Sequence, residues 1–81
     1  MNDRYILVIT STDDYHPSFG TVRLDAASAF EDLQAEYNNR LKENSSNIEE
    51  SDIDETNYEA FIRYSDTGEA INMYVQTITE E

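Results

Sequence analysis

Ala26, Phe30, Leu33, Tyr37 and Leu41 fall within about 80° of one another when the chain is wound at roughly 100° per residue. This apolar arc constrains the fold more than any other feature. A helix with one such stripe must bury it against another element, and only 81 residues are present to supply one. Asp25 stands just before the arc as a short side-chain acceptor suited to an N-cap. Asn44-Ser45-Ser46-Asn47 closes it without a glycine. The spacing predicts a helix over roughly residues 25–43.

The rest of the apolar pattern is strand-like. Arg4 to Thr10 is rich in β-branched and aromatic residues and apolar on both faces, which predicts a central strand. Ser11 to Gly20 holds Asp13-Asp14, His16-Pro17 and Gly20, all residues of turns. Thr21 to Leu24 is read as a second short strand pairing back on the first. Near the C-terminus, Tyr58 to Tyr64 and Ala70 to Ile78 flank Ser65-Asp66-Thr67-Gly68-Glu69, which predicts a hairpin with Gly68 left-handed in a G1 bulge. Pairing Ser65 with Glu69 puts Phe61, Ile71, Met73 and Val75 toward the helix and Tyr58, Ala60, Ile62, Tyr64 and Tyr74 on the other face. The fold class is therefore α+β: one amphipathic helix on a three- or four-stranded, mostly antiparallel sheet in the order β-(β)-α-β-β. Residues 1–81 are expected to form a single domain, with an acidic, mobile loop over residues 44–56.

Charge bounds the function. Eighteen acids against five bases give a net charge of −13. Such a charge keeps a protein soluble and disfavours nucleic acid and anionic membrane as direct ligands. It favours a basic partner or cations. With no cysteine there is neither a disulfide framework nor a thiolate metal site, and no segment approaches the roughly 20 apolar residues of a membrane span. A cytoplasmic protein is expected.

Catalytic patterns are weak. The sole histidine, His16, stands in a turn beside Asp13 and Asp14 with no nucleophile context, and one histidine without cysteines serves zinc poorly. Asp52-Ile53-Asp54-Glu55-Thr56 begins like a calcium-binding EF-hand loop, but Asn57 stands where glycine is needed and Arg63 where glutamate is needed. A non-enzymatic protein without a cofactor is the expectation.

What remains is the acidic surface. Asp25, Asp32, Glu36 and Glu43 fall within about 40° of one another on one flank of the helix, a line roughly 27 Å long at helical rise. Glu49, Glu50, Asp52, Asp54 and Glu55 extend it through the loop, and Tyr58, Tyr64 and Tyr74 supply candidate anchors. Lines of carboxylates with interspersed aromatics can occupy a channel built for the phosphate backbone. In size and charge the chain is similar to the small acidic inhibitors of phages and other mobile elements that block restriction enzymes, CRISPR nucleases or DNA-repair enzymes. That similarity implies a nucleic-acid mimic whose partner is a basic nucleic-acid-binding enzyme or effector complex. The alternative is a homo-oligomeric accessory domain that buries the tyrosine-bearing sheet face against a second copy.

Overall fold

A computed structural model describes residues 2–80. Five strands and one helix follow in the order β1 (Asn2–Ser11), β2 (Asp14–Phe19), α1 (Ala26–Glu43), β3 (Ile48–Asp54), β4 (Glu59–Tyr64) and β5 (Ala70–Glu80). The strands form one antiparallel sheet in the order β2-β1-β5-β4-β3. The architecture is α+β, with α1 lying across β1, β5 and β4.

The two ends of the chain meet at the middle of the sheet. β1 and β5 pair over ten residues, from Asn2 opposite Glu80 to Ser11 opposite Ile71. Being flanked on both sides, β1 can be apolar on both faces. Leu7 points into the helix-side core, while Val8, equally buried, points away from it between Phe19 of β2 and Tyr74 of β5. β2 folds back through Thr12-Asp13. Thr12 also holds the start of β5, its hydroxyl accepting from the Ala70 amide and its own amide donating to the Ala70 carbonyl. Gly20 donates to the Leu7 carbonyl at 2.9 Å. A Cβ on Gly20 would sit 3.1 Å from Leu7 Cβ, so a larger residue here would have to push the Leu7 side chain aside by a few tenths of an ångström.

The helix arc meets the sheet as its spacing predicts. Leu33 is fully buried with Phe30 and Tyr37 against Leu7, Ala60, Ile62, Tyr64, Ile71 and Met73, with Leu41 at the margin. Asp25 caps the helix, its side chain accepting from the Ser28 amide at 2.8 Å. At the other end the Asn44 amide donates to the Arg40 carbonyl.

Three local expectations change. The second strand is Asp14–Phe19, not Thr21–Leu24, where only Arg23 bridges back to Tyr5. The acidic segment forms strand β3 in place of a loop, because Ile48 and Ile53 reach the core and Ser51 to Asp54 pair with β4. The sheet therefore has five strands. The last hairpin is out of the expected register by one residue. Tyr64 rather than Ser65 faces Glu69, with the Tyr64 amide donating to Glu69 and Gly68, at φ +75°, donating to Tyr64. Because strand side chains alternate, that single step exchanges the faces of β4. Ala60, Ile62 and Tyr64 turn to the helix, and Phe61 turns to the open face with Tyr74.

Tyr58 also belongs to the helix side. Its backbone is left-handed, at φ +54°, which costs a non-glycine residue about 1–2 kcal/mol. Its ring stacks on Phe30 with centroids 4.8 Å apart, a contact that offsets about 0.5–1.5 kcal/mol.

Leu33→Ala should lower the free energy of unfolding by about 2–5 kcal/mol in urea denaturation. Leu24, 73% exposed, should tolerate alanine to within about 0.5 kcal/mol in the same measurement.

Candidate partner-binding surface

The carboxylates of the helix flank are aligned, but most are already engaged. Asp25 is occupied as the N-cap, and the Ser28 amide holds its carboxyl below the usual range. Asp32 takes the Arg23 guanidinium in a fork, Nε to Oδ2 at 2.8 Å and Nη2 to Oδ1 at 2.9 Å. That bond and the charge of Asp32 raise Arg23. Arg23 is in turn tied to Tyr5 by two backbone hydrogen bonds. Asp32 thus anchors the segment after β2 to the helix.

Glu36 accepts from Arg40 Nε at 2.7 Å, one turn along. Burial works against the Arg40 charge, but bonds to Tyr64 and Glu36 outweigh it and raise the group. Glu43 is exposed at the last turn, beside Lys42 in sequence. The flank is a mixed-charge, self-paired surface.

The opposite face of the sheet is different. Pairing sets Phe19, Val8, Tyr74, Glu59 and Asp54 in one row across all five strands. The next row runs Thr10, Asn72, Phe61 and Asp52, and beyond it Arg63 faces Glu50. No helix covers this side. It grades from apolar at β2 and β1 to acidic at β4 and β3.

Glu50, Asp52 and Asp54 alternate along β3, about 6.7 Å apart at strand rise. Of these, Glu50 has a loose ion pair, 3.6 Å from Arg63. Asp52 and Asp54 accept from nearby backbone amides, and Asp54 also accepts from the Asn57 side chain at 2.9 Å. Those donors, Asn57 first, hold the Asp54 carboxyl below its usual range. The turn bonds of Asp54 also replace the calcium-loop geometry that its sequence superficially offers. Glu49 and Glu55 are exposed at the two ends of β3, Glu49 as the extra residue of a bulge.

A shallow recess of about 340 Å³ opens on this face, lined by Asp52, Asp54, Glu59, Phe61, Asn72 and Tyr74 together with Ala60 and Met73. No lysine or arginine lines it.

Of the three tyrosines expected to share a face, Tyr74 alone stands on the open side. Tyr58 is stacked under α1, and Tyr64 is buried beside Arg40. Phe61, Glu59 and Asn72 were not among the expected site residues. A signal for them exists within β4 itself, where Ala60, Ile62 and Tyr64 alternate with Glu59, Phe61 and Arg63, a set that carries the strand's two charges. That alternation selects the first set for the core, against the turn-based register.

His16 is exposed, with its amide bonded to Asp14 Oδ1. Among the described residues no group of three or more acids and histidines is placed to hold a metal ion, and no helix is long and apolar enough to cross a membrane. Comparison with protein families, curated proteins and solved structures found no match.

The capping carboxylates give a pH signature. Groups with a depressed folded pKa stabilise fully above the unfolded value of about 3.9 and cease to do so as pH falls through the folded value. Relative to Asp25→Ala and Asp54→Ala variants, the wild-type stability advantage should therefore hold between neutrality and about pH 5 and shrink below about pH 4. Thermal melts across that range measure it.

Neutralising single acids should also separate the two surfaces. Asp32→Asn and Glu36→Gln should lower the melting temperature, since each strands an arginine. Asp52→Asn should leave it unchanged or raise it, since it relieves like-charge repulsion.

Proposed function

We propose that this is a non-enzymatic acidic binding protein that docks on the basic surface of a nucleic-acid-binding protein and blocks access of the nucleic acid. The observation that carries this reading is the acidic end of the open sheet face. There Asp52, Asp54 and Glu59 stand together with no basic residue among them, beside the exposed ring of Tyr74. The helix flank contributes less than its alignment promises, since a partner would have to displace the Arg23–Asp32 and Arg40–Glu36 pairs. A net charge of −13 adds long-range steering, which raises association rates and makes them sensitive to salt. The small acidic inhibitors of mobile elements are the class this activity would place it in.

A second reading draws on the other end of the same face. Phe19 is 60% exposed and Ile78 36%, and the strand pairing puts both on the same face as Tyr74, where a second copy of the chain could cover them. Sedimentation at high protein concentration decides it: a dimer that persists at low salt supports this reading, and a strict monomer removes it.

The blocking function is tested by capture from a cell lysate followed by identification of the bound proteins. Nucleic-acid-binding proteins should be retained at low salt, released at high salt and released by added duplex DNA. A Glu50→Gln, Asp52→Asn, Asp54→Asn, Glu59→Gln variant should lose most of this retention, and Asp32→Asn should keep it. If the wild-type protein retains no nucleic-acid-binding protein at low salt, the mimic reading fails.

A further inference from the structure

We propose that the recess between β3, β4 and β5 is the seat for an arginine side chain projecting from the partner's basic surface. This rests on the binding reading above and names the group that the open face would recognise. Three properties of the recess point to a planar cation.

The first is acidic charge with no basic residue in the lining. Asp54 and Glu59 are directly opposed in the β3–β4 pairing, an arrangement of like charges that weakens a sheet. Asp52 stands one row away on the same face, opposite Phe61. Arg63 faces Glu50 in the row beyond, and Arg23 and Arg40 are committed to the helix. No lysine or arginine of the chain lines the recess, so a cation entering from outside would meet carboxylates that no basic side chain there pairs.

The second is the chemistry of the walls. Glu59 is paired with Tyr74 across β4 and β5, so a carboxylate and an aromatic ring are neighbours. Phe61 is half-buried in the adjoining row beside Asn72. A guanidinium can lie flat on an aromatic face while its edge donates two parallel hydrogen bonds to a carboxylate; an ammonium can sit over the ring but cannot stack on it or supply that fork. Asn72 offers a further side-chain acceptor.

The third is size and access. About 340 Å³ of open recess admits a side chain from a surface without admitting a folded element. Its position next to edge strand β3 lets the rest of the basic surface lie along Glu50, Asp52 and Asp54.

The test uses the intact protein with two unstructured peptides of equal length and charge, one carrying arginines and the other lysines. Binding is followed by amide chemical shifts. The arginine peptide should bind several-fold tighter, with its largest shifts at residues 52–54, 59–61 and 72–74. Tyr74→Ala should weaken the arginine peptide by about two- to fivefold and the lysine peptide by less, since the cation–aromatic contact at a partly exposed site is of that size and the planar guanidinium also stacks on the ring. Glu59→Gln should weaken both. Because Tyr74 is a surface ring, the variant is expected to fold, and its amide spectrum verifies that directly.

Equal affinity for the two peptides, or shifts centred on α1 or on residues 48–50 at the start of β3, would overturn the arginine seat while leaving the acidic binding surface standing. No binding of either peptide at low salt would remove both.

Discussion

Everything in this fold hangs on the pairing of β1 with β5. Ten residues at one end of the chain lie against ten at the other, in the middle of the sheet, and the core-facing residues Leu7, Ile71 and Met73 come from those two strands. β2 attaches to the outer side of β1, and the β4–β3 pair attaches to the outer side of β5. The helix then covers the central strands with a single arc of side chains. A chain of this size has little apolar surface to spare, so one helix face and one sheet face provide most of its core. Any change that shifts the β1–β5 register would turn Leu7 and Val8 to the wrong sides at once.

The two outer surfaces handle acid in opposite ways. On the helix, each of two carboxylates is matched with an arginine, and a third caps the helix. There acidic residues serve the fold. On the uncovered sheet face, carboxylates gather where the stabilising pairs run out. Like charges opposed across β3 and β4 cost stability, and the nearest compensation is a 3.6 Å contact between Arg63 and Glu50.

Much of this architecture is legible from the residues. The arc from Ala26 to Leu41 locates the helix and its buried side, and the apolar run from Tyr5 to Ile9 marks a central strand. Asp25 is recognisable as a cap because its side chain is short and an apolar periodicity starts immediately after it. The missing parts have physical causes. β2 contains Asp14, His16 and Pro17, which read as turn residues; an exposed edge strand tolerates them because its outer side need not pair. Apart from Ile48 and Ile53, β3 has poor strand propensity, and those two isoleucines together with a waiting β4 edge override it. The candidate site suffered most from one turn. A loop one residue longer than expected moved Phe61 out and Tyr64 in. Side-chain alternation within β4 carried the correct answer, and turn chemistry concealed it. The acidic line on the helix was visible from the wheel, but the arginines that neutralise it come from Arg23, outside the helix, and from Arg40 within it.

β3 has one further consequence, because it is the end of a sheet. An uncapped edge is a template on which other strands can stack, and such growth leads toward fibrils. In a parallel, in-register stack, copies of Glu50, Asp52 and Asp54 would repeat about every 4.8 Å, too close for unscreened carboxylates. At the far edge, β2 interrupts the ladder with Pro17, which has no amide hydrogen to offer. The two edges thus disfavour pairing with a second copy by different means, one electrostatic and one covalent. The electrostatic barrier is selective: it turns away another copy of β3 and stays open to a strand or loop that brings positive charge.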